Sequence, residues 1–155
     1  MTDVDHQKIA NRFAAGLSRG DLGVIDEIYA EDAVEEFPQS GEVFRGRASI
    51  RGVLERAASE FASGERGPDL STVEGHGSDE HRVLAPLFTV VHVQGRGDAG
   101  TITLKSRYPD GSWWWIVVVY ETSGGRIVHS SKFFGPEFEP APFRAPFVEL
   151  AEPES

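Results

Sequence analysis

The chain has 155 residues, no cysteine and a formal net charge of −10, from 25 acidic and 15 basic residues. The missing cysteine excludes disulfides, thiol catalysis and cysteine-ligated metal centres, and an acidic chain without a basic patch argues against a nucleic-acid partner and against anionic membranes. One domain of this length buries about 70% of its unfolded surface, which suffices for a core and a pocket without metal or disulfide support.

The termini and the apolar runs give no sign of export or of a membrane anchor. The opening segment MTDVDHQKIA lacks a basic region followed by an apolar one, so no signal peptide is expected. The longest apolar run, from Trp113 to Tyr120, is too short to span a bilayer. We therefore expect a soluble, cytoplasmic protein that does not associate with membranes.

The first third of the chain predicts three helices and one short strand. The stripe of the first helix consists of Ile9, Ala10, Phe13, Ala14 and Leu17, at helical spacing. Gly20 ends this helix, because glycine tolerates a left-handed cap, and Asp21 can cap a second helix whose apolar stripe ends at Tyr29. A short extended segment follows from Ala33 to Phe37, and a third helix follows Gly46.

From about Leu70 the pattern changes from helical periodicity to β-strands. The predicted strands are Asp69–Gly75, Arg82–Val93, Thr101–Tyr108, Trp113–Glu121 and Arg126–Phe134. Hairpins that follow one another without a helix between them indicate an antiparallel sheet. The predicted class is therefore α+β.

Residues 136–155 differ from the rest, because five prolines alternate with three phenylalanines. The prolines predict an extended path in place of a helix or a central strand. We interpret residues 1–135 as the folded domain and residues 136–155 as a C-terminal strap with a disordered end. Because exposing three phenylalanines is unfavourable, we expect the strap to pack over its own domain. The alternatives are that it crosses to a partner subunit or covers an open end of the domain.

Four segments carry a family resemblance through their order and spacing: RFAAGLSRGDL, IYAEDAV, FRGRASIR and GRIVHSSKFFG. With them the chain resembles the SnoaL-like, ketosteroid-isomerase-like branch of the nuclear-transport-factor-2-like superfamily. The resemblance implies three N-terminal helices wrapped on a strongly curved, mostly antiparallel sheet, which together form a cone-shaped α+β barrel. It also implies a small apolar molecule inside the cone and a homodimer formed through the sheet.

The same resemblance places the working groups of the steroid isomerases at apolar positions of this chain. Their tyrosine falls at Phe13, their aspartate base at Phe37 and their second acid at about Val117. Phenylalanine cannot take a proton and valine cannot donate one. Steroid-isomerase chemistry at the usual positions is therefore not expected, and these three side chains are predicted to contact a ligand.

Polar residues on two strands offer other chemistry. Glu35 shares a strand face with Phe37, and Lys132 shares one with Ser130 and Phe134, because strand side chains alternate with period two. The family overlay turns both faces into the cone, where Glu35 and Lys132 could polarise a carbonyl or an epoxide and move a proton. The alternative is an ordinary ion pair at the rim or in water, and a register slip of one residue would reverse every assignment.

The run of three tryptophans must be divided between two strand faces. Trp115 shares a face with Val117, and Trp114 lies on the opposite face with Ile116. We predict that Trp115 lines the cone as an aromatic wall and that Thr89 also points inward. The alternative for the tryptophans is a place in the core and in an interface.

No metal or cofactor site is predicted. His76 and His81 lie around a loop without metal-ligand spacing, His6 is expected to be solvated, and His92 and His129 are expected to face outward. The glycine-rich segment GRGDAG joins two strands and opens no helix, so it does not fit a phosphate-binding loop.

The sequence leaves two functions open. One is an enzyme that acts on a small apolar molecule by acid–base chemistry, as an isomerase, cyclase, dehydratase or epoxide hydrolase. The other is a non-catalytic module that binds a small ligand or acts as a dimeric interaction domain. Fold alone does not decide between them, because one fold hosts many functions.

Overall fold

In the computed structural model, which describes residues 4–63, 87–107 and 111–151, three helices pack on a six-stranded sheet. The helices are α1 (His6–Arg19), α2 (Gly23–Ile28) and α3 (Arg47–Ser63). The strands are β1 (Tyr29–Phe37), β2 (Glu42–Arg45), β3 (Leu87–Arg96), β4 (Ala99–Arg107), β5 (Trp113–Ser123) and β6 (Arg126–Pro136). Of the helices in the described ranges, none combines the length and the apolar character needed to cross a lipid bilayer. The predicted α+β class is confirmed.

The ends of the first two helices follow local chemistry. The Asp5 carboxylate accepts a hydrogen bond from the N–H of Lys8 at 2.9 Å and so caps the start of α1, and Gly20 ends α1 with φ of 72°. Asp21 accepts a hydrogen bond from the N–H of Gly23 at 3.1 Å, at the start of α2. The second helix is shorter than predicted, because Tyr29 is already extended and begins β1.

The sheet has the order β2-β1-β6-β5-β4-β3. Only the β1–β6 pair is parallel among these neighbours, and its register sets Glu35 beside Ser130. The first strand of the chain therefore lies next to the last one. Strand β2 was not predicted. The predicted strand Asp69–Gly75 lies outside the described residues, as does the start of the predicted strand Arg82–Val93.

Side chains alternate between two faces of the sheet. On β5, Ile116 and Val118 are buried, whereas Trp115 is 38% exposed and Val119 is 45% exposed. We call the buried side, which packs against the helices, the inner face and the opposite side the outer face. The inner face shares one core with the helices, to which belong Ala10, Phe13, Ile25, Ile50, Ile102 and Leu104. The functional candidates therefore depend on which face each residue occupies.

The C-terminal strap does not pack as predicted. Its described part, up to residue 151, contains a 3₁₀ helix (Pro142–Phe147) in place of a wholly extended path. Its phenylalanines Phe138, Phe143 and Phe147 are 82%, 76% and 90% exposed, so the expected packing over its own domain is wrong. Contacts of the strap with the sheet include Glu137, whose N–H donates to the carbonyl of Trp113 at 3.2 Å. The predicted disorder at the chain end concerns residues that lie partly outside the described ranges.

Candidate active site

Four side chains on the inner face form a polar cluster, which we define as Tyr29, Glu35, Ser130 and Lys132. The Tyr29 hydroxyl and the Ser130 hydroxyl each donate a hydrogen bond to Oε1 of Glu35 at 2.9 Å. The Lys132 Nζ lies 3.0 Å from the same oxygen. Strand β1 supplies the tyrosine and the carboxylate, and its parallel neighbour β6 supplies the hydroxyl and the ammonium.

The polar cluster is almost closed to solvent. Glu35 is 2% exposed, Lys132 is 4% exposed, and Ser130 and Tyr29 are fully buried. Burial, together with the neighbouring Glu35 carboxylate, raises the pKa of Tyr29 well above its ordinary value. Tyr29 therefore stays protonated over the physiological range and keeps its hydrogen-bond donor.

Aromatic rings lie next to the polar cluster along the inner face. The Lys132 Nζ lies over the ring of Phe13, 4.9 Å from its centroid, which is a cation–π distance. Phe37 packs edge-to-face against Phe134 at 5.1 Å and against Phe44 at 4.7 Å between centroids. The apolar carbon skeleton of a ligand could therefore pack against these rings beside the polar cluster.

This arrangement has the parts of an acid–base site. The ammonium of Lys132 and two hydroxyls are fixed hydrogen-bond donors, and Glu35 is a carboxylate that can take a proton. All three donors converge on Oε1 of Glu35. Donors fixed in a buried place can stabilise a negative charge that develops on a bound oxygen.

The structure brings together six of the nine predicted site residues. Glu35, Ser130 and Lys132 share the polar cluster with the ring of Phe13 beside it, and Phe37 and Phe134 pack together on the same strands.

The other three predicted site residues do not face the interior. Thr89 is exposed, and its neighbours Phe88 and Val90 pack against the core in its place. Trp115 and Val117 lie on the outer face, because Ile116 and Val118 between them point inward. The physical reason is strand parity, since a shift of one residue moves a whole strand face from one side to the other.

Sequence reasoning missed two polar groups of the inner face. Tyr29 was assigned to the second helix, although an aromatic residue after Ile28 is also compatible with the start of a strand. Ser106 on β4 is fully buried, and its hydroxyl has no hydrogen-bond partner in the described part of the chain. Its alternation with Ile102 and Leu104 was the available signal.

His6 is not the solvated residue that the sequence predicted. Its Nδ1 lies 2.7 Å from the hydroxyl of Tyr120, and its Nε2 donates to the carbonyl of Gly97 at 2.9 Å. Burial raises the pKa of Tyr120 to about 12, so this hydroxyl is protonated at neutral pH. A side chain at Gly95 would collide with the His6 ring, and one at Gly100 would collide with Tyr120.

The strand histidines lie away from the polar cluster. His129 is half-exposed on the outer face, where its Nε2 lies 3.0 Å from Oε2 of Glu36, and His92 is exposed. Within residues 4–63, 87–107 and 111–151, no three histidine, aspartate or glutamate side chains meet in a way that could hold a metal ion.

A groove of about 870 Å³ lies away from the polar cluster, between the start of α1, the end of α2 and the turn that joins β5 to β6. Its lining includes Lys8, Asp98 and the ion pair between Arg12 and Glu27. Neither Glu35 nor Lys132 lines it, so we assign the candidate chemistry to the inner face and not to this groove.

Comparison with known proteins places this architecture in a family. Residues 10–130 match the model of the SnoaL-like domain. No protein with curated annotation matches the chain in sequence.

Solved structures share the fold over nearly the whole chain. A candidate ketosteroid isomerase from Kribbella flavida is 20% identical, with a TM-score of 0.69 and coverage of 96% of this chain and 91% of that one. An NTF-2 like protein of unknown function from Burkholderia xenovorans is 22% identical, with a TM-score of 0.66 and coverage of 94% of each chain. An LEH-like epoxide hydrolase from M. tuberculosis is 17% identical, with a TM-score of 0.55 and coverage of 83% and 80%. At these identities the likeness concerns the fold alone.

Proposed function

The chain belongs to the SnoaL-like domain family, and from this premise we propose that it is an acid–base enzyme that binds a small apolar carbonyl compound in its cone. Glu35 is the proposed base, and Lys132 is the proposed donor to the carbonyl oxygen. The observation that carries the proposal is the buried ion pair of Glu35 and Lys132, joined at 3.0 Å on the inner face.

A buried ion pair of this kind adds little to the stability of a fold. Removing both charges from water costs several kcal/mol per ion, and well-packed apolar residues of similar volume often give an equally stable or more stable protein. Ionisable groups held in a buried, apolar setting are characteristic of sites where a proton is moved. The presence of this energetically costly pair supports a functional role for it.

The proposed step is a proton transfer in which atoms and electrons balance. Glu35 takes a proton from the carbon next to the carbonyl, and the electron pair of that C–H bond becomes the new carbon–carbon double bond. The carbonyl π electrons move to oxygen, which becomes an enolate oxygen that accepts hydrogen bonds from Lys132. When the proton held by Glu35 is replaced by a solvent proton, or by a deuteron in D₂O, its delivery to the same carbon gives isotope exchange, and delivery to a conjugated carbon gives an isomer. Phe13, Phe37 and Phe134 would hold the apolar skeleton.

The test is deuterium incorporation into a ketone probe, trans-4-acetylstilbene, in D₂O, followed by mass spectrometry. The native protein should speed exchange of the acetyl protons above the buffer rate. Glu35→Gln should reduce this acceleration by roughly 100-fold or more, since a positioned general base contributes about 10²–10⁴-fold.

Glu36→Gln is the matched control. Glu36 lies on the same strand but on the outer face, where it contacts His129 at 3.0 Å. This variant should exchange the probe at the native rate. The proposal is wrong if Glu35→Gln keeps the native rate, or if both substitutions reduce the rate equally.

A second candidate function is binding without turnover. It is favoured by one feature of the polar cluster, since three donors already satisfy Oε1 of Glu35 and stabilise the carboxylate as it stands. In that case the native protein would bind the probe, by fluorescence, while the exchange rate stayed at the buffer value.

We also propose that two copies of the chain pair through the outer face. Val91, Trp115, Val119 and Phe133 expose 49%, 38%, 45% and 39% of their surface there. Large apolar side chains that stay exposed together on one face are typical of an interaction surface. A self-complementary face of this kind suits a two-fold symmetric dimer.

A further inference from the structure

Ser106 is the one buried side-chain oxygen or nitrogen that lacks a hydrogen-bond partner in the parts of the chain that the structure describes. Its side chain is fully buried on the inner face of β4. A buried hydroxyl without a partner is unfavourable, because it has given up its hydrogen bonds to water and received none in return. Such an atom in a native protein needs an explanation, and a ligand that brings the missing hydrogen bond is one.

The strand register shows where this hydroxyl lies relative to the polar cluster. On the inner face Ser106 is flanked by Phe88 across β3 and by Trp114 across β5. The next inner row contains Leu104, paired with Ile116. Trp114 and the apolar row of Leu104 and Ile116 therefore lie between Ser106 and the charged residues, whereas Phe88 lies on the opposite side of Ser106.

The separation can be estimated from the backbone. Ile102 pairs with Val118, and Val118 pairs with Lys132, so these three residues mark one row across the sheet. Ser106 lies four residues further along β4 than Ile102, which is about 14 Å along the strand at 3.4 Å per residue. The inner face thus has the polar cluster with the charged Lys132 towards one end and the unpartnered hydroxyl of Ser106 towards the other.

We propose that Ser106 is a second recognition point for the ligand, which is an elongated apolar molecule with an uncharged oxygen at the end remote from the reacting carbonyl. This inference rests on the proposed function, because it extends the same site. The remote group is a hydroxyl, ketone or ester carbonyl, since a serine hydroxyl can both donate and accept. It is not a carboxylate or an ammonium, because the row around Ser106 is apolar and an unpaired charge there would be strongly disfavoured.

The experiment compares two probes that differ by one oxygen, trans-4-acetylstilbene and trans-4-acetyl-4′-hydroxystilbene. Binding is measured by fluorescence titration of the native protein, Ser106→Ala and Ser131→Ala. The native protein should bind the hydroxylated probe roughly five- to tenfold more tightly, as one additional hydrogen bond allows. Ser106→Ala should lose this preference and bind the probe without the hydroxyl at least as well as the native protein does.

Ser131→Ala is the matched control, because Ser131 lies on β6 between the inward-facing Ser130 and Lys132 and therefore on the outer face. It should keep the native preference. A merely structural serine would change thermal stability but not the ratio of the two affinities. Equal binding of both probes by the native protein overturns this inference and leaves the proposed function standing, as does a preference that survives in Ser106→Ala. Absence of binding by either probe contradicts both proposals.

Discussion

The two faces of the sheet each carry a lysine paired with a glutamate, in opposite surroundings. On the inner face, Lys132 lies 3.0 Å from Glu35, and only 5% and 2% of these side chains are exposed. On the outer face, Lys105 lies 3.4 Å from Glu137, and 22% and 51% of the two side chains are exposed. The same pair of residue types is thus present once in a buried site and once in a solvent-exposed site.

Each of these lysines also lies over aromatic rings. The ammonium of Lys132 is 4.9 Å from the centroid of Phe13, and that of Lys105 is 4.7 Å from Trp113 and 5.3 Å from Trp115. The residue types alone therefore do not distinguish a candidate site from an ordinary ion pair on the protein surface. Burial distinguishes the two, because the interaction energy of an ion pair depends on how much water surrounds it.

The largest effect is expected when the ion pair of Glu35 and Lys132 on the inner face is broken. Lys132→Met should destabilise the fold by about 3–5 kcal/mol, because it leaves the buried Glu35 carboxylate without its counter-charge. Lys105→Met, the matched substitution on the outer face, should cost at most about 1 kcal/mol. Urea unfolding of both variants, followed by circular dichroism, measures the two changes on one scale.

The double variant Glu35→Leu with Lys132→Met sharpens this prediction. It should recover most of the lost stability, because the unpaired buried charge is gone. If Lys132→Met and Lys105→Met cost the same, the inner pair is hydrated in solution and the contrast between the two faces does not hold.

A smaller effect is expected at the outer face. Val119→Asp should raise the dissociation constant of the proposed dimer by tenfold or more, about 1.4 kcal/mol, because it buries two like charges at a self-pairing surface. Val43→Asp is the control, since Val43 is 44% exposed against 45% for Val119 but lies beside Glu36 on the edge strand β2, which β1 and β6 separate from β5 in the sheet order. Native mass spectrometry over a concentration series measures both. A monomeric native protein, or equal weakening by the two substitutions, rejects the outer-face patch around Val119 as the contact.

Much of the fold was predictable because its signals are local. The spacing from Ile9 to Leu17 and the glycine at position 20 are sufficient to predict α1. The strand pattern from Thr101 onward predicts most of β4, β5 and β6, because turn residues separate runs of β-formers. The exposed strap was not predicted, because proline and phenylalanine content does not say which surface the rings meet.

The orientation of the candidate-site residues was predictable only where the alternation patterns of two strands indicated the same inward side. The inward position of Glu35 and of Lys132 was predictable because alternation placed each on the face of neighbours that also point inward. Trp115 and Val117 were predicted to lie on the inner face, which is wrong by one residue of strand register. The sequence of β5 does not reveal the correct face, because the residues on both of its faces are apolar. The contact of His6 with Tyr120 joins residues 114 positions apart, and no local pattern encodes it.

The most direct test of the central claim is a side-chain NMR titration of the native protein with trans-4-acetylstilbene, observing the ¹⁵Nζ signals of the lysines. The Lys132 signal should move with added probe, whereas the Lys105 signal, assigned through Lys105→Met, should stay in place. Movement of Lys105 without Lys132, or a Lys132 signal that does not respond to a bound probe, would contradict a ligand site at the inner polar cluster.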